Sequence, residues 1–179
     1  MNNVQIVSAW PHTGKTTLAK VYPFTYYFGD RNNKPTMYID IDSGEFKAYL
    51  SREMDSRTSN VAWVKKYVEM VEHLYRMYSK SDIDIVLLIS SHSAVQKALL
   101  EDGFSLVIAM PIWNSQHTYI QKLFQRASEN ETESNIAAHD AMAKNFRAFY
   151  RETLNTAKEY EEQVRLIKMP DGWYLADYI

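Results

Sequence analysis

Apolar positions along this chain follow two alternating rhythms. Short, nearly continuous apolar runs begin at Val4 and recur over 37–41, 84–90, 104–110 and 164–169. Runs of that length without polar alternation predict strands covered on both faces. Between them the apolar spacing changes to three and four residues. Val61, Val64, Val68, Val71, Tyr75 and Tyr78 mark one face of a helix over 61–78. Ile120, Leu123, Phe124 and Ala127 mark the inward face of a helix over 115–127. Ile136, Ala143, Phe146, Phe149, Tyr150, Leu154 and Ala157 mark a long helix after it. Buried strands alternating with helices predict an α/β fold with a doubly wound parallel sheet, a three-layer sandwich. No repeat and no long linker interrupts the pattern, so residues 1–179 read as one domain.

The breaks are marked by turn and cap residues. A first helix from Thr16 to Lys20 should end before Pro23, and Tyr26, Tyr27 and Phe28 are apolar enough to pack or pair. The stretch 29–35, Gly-Asp-Arg-Asn-Asn-Lys-Pro, reads as a turn. Asp42 with Glu45 three residues on resembles a helix start, leading into a short helix from Phe46 to Leu50. Residues 51–60 are polar and irregular, an arm exposing Arg52 and Arg57. Ser93 and Gln96 form a capping-box pattern for a helix that Gly103 closes. A polar break covers 128–133, and Pro170-Asp171-Gly172 is a turn before a final strand or short helix over 173–179.

Composition narrows the setting. The formal net charge is −2, which gives no general nucleic-acid footprint. Cysteine is absent, so disulfides and thiolate metal sites are excluded. The longest aliphatic run, Ile85 to Ile89, is far too short to span a bilayer. With no signal-peptide pattern at Met1-Asn2-Asn3, the expectation is a cytoplasmic protein with no membrane partner.

The chemistry is concentrated after the first strand. Ala9, Trp10, Pro11, His12, Thr13, Gly14, Lys15 and Thr16, followed by Thr17, fit a phosphate-binding loop. Such a loop wraps a polyphosphate in backbone N–H groups at the start of a helix. Gly14 allows close backbone approach, Lys15 reaches the β- and γ-phosphates, and the Thr16 hydroxyl is offered to Mg²⁺. Asp40 and Asp42 end the second strand, which is placed beside the strand carrying the loop. Asp40 is assigned to the metal and Asp42 to the acceptor; capping is the alternative role of Asp42. Ser90, Ser91 and His92 end the third strand. Arg126, one helical turn after Lys122, stands just before the polar break, where 115–133 would form a lid. Arg147 and Arg151 either join that cradle or pair with Glu152 or Glu161.

The loop, the Asp-x-Asp and the strand order resemble the P-loop kinases of the nucleotide and shikimate kinase type. More closely, the chain is similar to small P-loop kinase-like proteins encoded by bacteriophages. That likeness rests on Pro11, Asp42-Ser43, Ser90-Ser91-His92 and the helix from Tyr119 to Arg126. His12 and Ala9 stand where such loops mostly carry Gly, and no Asp ends the third strand. The resemblance implies ATP and Mg²⁺ as donor and cofactor, and a host-cytoplasm location. Lys15, Asp42 and Arg126 would be the catalytic residues, and Thr16 and Asp40 the metal-binding ones. The expected activity is transfer of the ATP γ-phosphate to a small acceptor. A nucleoside monophosphate fits best, since Arg52 and Arg57 would meet its charge; a hydroxyl-bearing small molecule is the runner-up. From another class, a nucleotide-binding regulatory or host-interaction protein without turnover stays open.

Overall fold

A computed structural model describes residues 3–20, 28–31, 34–41, 43–44, 46–47 and 56–179. Its strands are β1 (Val4–Ala9), β2 (Phe28–Arg31), β3 (Lys34–Asp40), β4 (Asp84–Ile89), β5 (Leu106–Pro111) and β6 (Val164–Met169). Its helices are α1 (Lys15–Lys20), α2 (Ser56–Tyr78), α3 (Ser93–Glu101), α4 (Gln116–Glu129) and α5 (Glu133–Glu159). Short 3-10 turns lie at Trp113–Ser115 and Leu175–Asp177. No helix among the described residues is long and apolar enough to cross a membrane.

The strands form one six-stranded sheet in the order β2-β3-β4-β1-β5-β6. Five of them, β3 to β6 along that order, are parallel; β2 pairs antiparallel with β3 at the edge. The expected α/β architecture is therefore present, with apolar strands in the middle of the sheet and helices over them. One face buries Ile6, Ile85, Leu87, Ile89 and Ile108 under Tyr67, Val68 and Val71 of α2 and Val95 and Leu99 of α3. The other face buries Val7, Ala9, Leu88 and Ala109 against Ala19 of α1 and Leu175. Burial on both faces is why the central strands carry no polar alternation.

The strand order corrects one expectation. β4, not β3, lies beside β1, pairing Ser8 with Ile89, so Asp40 ends a strand one place further from the loop. A long right-handed crossover can skip a strand position that a later strand then fills, and local sequence carries no mark of that choice. The stretch 29–35 is also mostly strand rather than turn, because Gly29, Asp30 and Arg31 pair with Thr36, Pro35 and Lys34. Turn-forming composition suits a short edge hairpin as well as a loop. The second half of the 51–60 arm, 56–60, is the start of α2. The first half, with Arg52, lies outside the described residues, as do Tyr26, Tyr27, Asp42, Glu45 and the Arg57 side chain.

Further details differ. His92, not Ser93, is the N-cap of α3 and makes no side-chain cap bond. Gln96, expected to complete a capping box, is buried and donates to Ser8 Oγ at 2.9 Å instead. Gly103 closes α3 as expected, with a positive φ of 86°. On α4 the inward residues are Tyr119, Leu123 and Ala127, whereas Phe124 is 60% exposed. On α5, Ile136 is likewise exposed, while Met142, Phe146 and Tyr150 are buried.

These α4 and α5 side chains form a third cluster around Trp10. The Trp10 indole is 1% exposed and meets the rings of Tyr119, Phe146 and Tyr150 at 6.1, 5.5 and 6.4 Å. A loop residue thereby becomes the hub that seats two helices on the sheet edge. Trp10→Ala should cost about 3–5 kcal/mol through cavity formation. Urea unfolding checks this, and a loss below about 1 kcal/mol would mean the α4–α5 layer does not depend on the indole.

Candidate functional site

The 9–16 loop follows β1 at the carboxyl edge of the sheet. β1 crosses over toward β3 and β5 toward β6, so connections diverge between β1 and β5, and the crevice of an open α/β sheet forms there. The carbonyls of the loop are held by its own side chains, by α4 and by the C-terminal segment. Thr13 Oγ1 donates to Trp10 O at 2.7 Å, and Tyr119 Oη of α4 donates to Pro11 O at 2.7 Å. Leu175 N donates to Thr13 O at 2.9 Å, and Lys15 Nζ donates to Ala9 O. Trp10 N is taken by Ala109 O of β5 at 3.0 Å.

The N–H groups behave differently. Those of His12, Thr13 and Gly14 have no hydrogen-bond partner among the described residues. His12 has φ of 59° and Gly14 of 97°, so the chain enters the left-handed region twice within the loop. Alternating handedness turns consecutive N–H groups into a concave nest, a geometry that receives anionic oxygen. A Cβ on Gly14 would meet Tyr174 no closer than 3.5 Å, so glycine is needed there for its backbone angle rather than for space. His12 adopts the same half of conformational space without that freedom, a conformation that histidine tolerates better than most side chains.

Three neighbours surround the nest. On the α4 side, Arg126 and Lys122 lie near His12; burial first, and then these two cations, hold its pKa below the ordinary histidine value. Lys122 pairs with Asp171 at 2.5 Å, linking α4 to the turn after β6. Arg126 is half-buried, and its guanidinium makes no hydrogen bond or ion pair among the described residues. The expected lid is thus a packed helix, with Tyr119 buried and its phenol pKa pushed up by burial. On the C-terminal side, Trp173 and Tyr174 are 54% and 48% exposed beside His12 and Thr13.

The third neighbour comes from β4. Ser90 Oγ lies 2.5 Å from Nδ1 of His92, and Nε2 of His92 lies 3.4 Å from Lys47 Nζ. Trp63 of α2 supports both, edge-on to His92 at 4.9 Å and under Lys47 at 3.9 Å. Burial, Lys47 and Lys15 push the His92 pKa down to about 4. Tyr67 of α2 donates to Ile41 O at 2.6 Å and accepts from Ser90 N at 3.0 Å. Its hydroxyl thereby fixes the ends of β3 and β4 against each other.

The expected residues fall into groups. Lys15, His12, Thr13, Gly14 and Arg126 come together at the loop. Ala9 and Trp10 contribute backbone alone, since both side chains are buried. Thr17 is exposed, and the side chain of Thr16 lies outside the described residues, as does Asp42. Asp40 is half-buried and shares the α1 face of β3 with Tyr38. Arg147 lies 5.9 Å over Trp113, away from the cradle, and neither it nor Arg151 pairs with Glu152 or Glu161. Sequence reading passed over Lys47, Trp63, Tyr67 and Asp171, which show nothing but ordinary helix and turn spacing.

No protein-family model matches the chain, and no curated protein matches it. What fold and site define is a class: an α/β protein with a five-strand parallel sheet and a backbone nest at its carboxyl edge.

His92 makes stability depend on pH. Its folded pKa, about 4, lies below the ordinary histidine value of 6.5. The unfolded chain therefore binds the extra proton first, and stability rises with pH across that window. The ring keeps an exposed edge, so solvent screening reduces the gain relative to a fully buried imidazole. Thermal melts from pH 4 to 6.5 should show Tm rising more steeply in the parent than in His92→Gln. Equal slopes would show that His92 titrates normally.

Proposed function

We propose that this chain is a P-loop phosphotransferase that moves the ATP γ-phosphate to a small acceptor, a nucleoside monophosphate fitting best. The observation that carries the reading is the loop backbone. Carbonyls of Ala9, Trp10, Pro11 and Thr13 are bonded, while the N–H groups of His12, Thr13 and Gly14 have no partner among the described residues. Unpaired donors at a sheet edge cost free energy unless water or an anion receives them. A polyphosphate supplies several anionic oxygens in one chain, which matches a row of consecutive donors.

The other residues take roles by position. Lys15 draws charge from the transferring phosphoryl group, and on binding it exchanges Ala9 O for phosphate oxygen. Arg126 stands beside His12 with its donors unused, suited to charge that builds up in transfer. Trp173 and Tyr174 offer an aromatic surface next to the loop for a nucleobase. Mg²⁺ neutralises phosphate charge when bound, and Thr16 and Asp40 are the residues assigned to it. No group of three His, Asp or Glu side chains clusters among the described residues. That fits an ion which retains water and takes oxygen from the substrate's own phosphates.

A second reading has one observation in its favour. β4 leads into Ser90-Ser91-His92 with no carboxylate, and both nitrogens of His92 are engaged. A nucleotide-binding regulatory protein without turnover would need no base or metal carboxylate there.

Two variants test the proposal. Lys15→Ala should weaken ATP binding at least tenfold by calorimetry while leaving the melting curve unchanged. Unaltered ATP affinity would end the P-loop reading. Arg126→Ala should lower kcat by two or more orders of magnitude with little change in KM for ATP, as removal of a transition-state contact does. ATP binding by the parent without turnover on any nucleoside monophosphate or hydroxyl acceptor would select the regulatory reading.

A further inference from the structure

We propose that the outer face of α4 and α5 docks a second copy of this chain, packed antiparallel across a two-fold axis. Six large apolar side chains are exposed among the described residues, and three of them, Trp113, Phe124 and Ile136, belong to this layer. Phe124 meets His139 of α5 at 5.5 Å, and Trp113, just before α4, lies 5.9 Å from Arg147. The two helices therefore run antiparallel, with these pairs at successive levels. An open groove of about 530 Å³ lies along them, lined also by His117, Ile120 and Gln121. Covering its apolar surface is favourable, but the hydrophobic effect is non-directional and does not choose a partner.

Charge makes that choice. The turn between the helices carries Glu129, Glu131 and Glu133, all exposed. Further along α5 stand Lys144, Arg147 and Arg151, also exposed. At about 100° per residue, Glu133, Ile136, Lys144, Arg147 and Arg151 fall in one stripe of the helix. One end of the face is thus acidic and the other basic. A parallel copy would set acid against acid, whereas an antiparallel copy sets acid against base at both ends. A two-fold axis lying in the face and running across the helices generates that arrangement from a single patch.

The centre of the face also fits such an axis. With the axis between His139 and Asp140, Arg147 of one copy lies over Glu131 and Glu133 of the other. Ile136 then stands opposite Ala143, a large side chain against a small one. Each Asp140 stands opposite the other copy's His139, the residue type it already meets at 3.1 Å within its own chain. Size sets the strength. From Glu133 to Arg151 α5 extends about 27 Å, and two helices side by side are about 20 Å wide. That face buries roughly 500 Å² per copy, about 1,000 Å² in total, the lower bound for a specific interface. The dimer is accordingly weak, with a Kd in the micromolar range, and its exposed ion pairs fix orientation more than affinity.

The test is sedimentation velocity on the full chain, from low micromolar to several hundred micromolar. The parent should pass from monomer to dimer across that range. Phe124→Asp, at an exposed site, should weaken the dimer at least tenfold and leave the melting curve unchanged. Arg147→Glu and Glu133→Lys each bring like charges together at both ends, and each alone should weaken self-association at least tenfold. An equimolar mixture of these two variants should dimerise at least fivefold more tightly than either alone, because opposite charges then meet again. A parent that stays monomeric throughout overturns the proposal and leaves the face to a different partner. A dimer that Phe124→Asp does not weaken overturns it by placing the interface elsewhere. A mixture no tighter than its components overturns it too, since the two ends then do not meet.

Discussion

Everything at the carboxyl edge of this sheet depends on how one short loop satisfies its carbonyl groups. A backbone segment has as many acceptors as donors, and buried ones must be paired. Here the acceptors of Ala9, Trp10, Pro11 and Thr13 are taken by groups from three directions: the loop itself, α4 and the C-terminal segment. With those carbonyls bonded, the donors of His12, Thr13 and Gly14 are left without a partner among the described residues. The nest is therefore made by its surroundings as much as by its own sequence. Tyr119 and Leu175 lie more than a hundred residues from the loop they hold.

That anchoring ties the proposed lid to the proposed phosphate site. Tyr119 joins α4 to Pro11, and Lys122 joins α4 to Asp171, while Leu175 joins the segment after Asp171 back to Thr13. Loop, helix and C-terminal segment thus form a closed ring of contacts. Trp10 adds the apolar part, since its indole packs against the same helix and against α5. A ligand on the nest would act on all three elements, and the cations of α4 are already within electrostatic range through His12.

The opposite side of the site is organised by hydroxyl groups and an imidazole. Tyr67 locks the ends of β3 and β4, Ser8 accepts from Gln96 and donates to Ser90 O, and Ser90 orients His92. These bonds use the polar residues that end the strands, and they explain why Ser8 and Ser90 are tolerated within a buried apolar layer. Their common result is a fixed base for Lys47 above Trp63.

Much of this was legible in the order of residues. Continuous apolar runs gave the parallel strands, because a strand covered on both faces has no polar side to alternate. Three-and-four spacing gave α2, α4 and α5, and Gly14-Lys15 after a β-branched strand marked the loop. Local spacing is blind to which elements become neighbours. It placed β3 beside β1, where tertiary packing inserts β4, and it turned Phe124 inward where Tyr119 occupies the space against Trp10. It read Ser93 and Gln96 as a cap, while Gln96 is drawn instead to Ser8, a partner 88 residues away in sequence. Periodicity reports how often a residue faces inward but not what waits there. The loop's place between β1 and α1 could be read from eight consecutive residues; Lys47, His92, Trp63 and Asp171 acquire their surroundings solely from contacts that folding makes between distant parts of the chain.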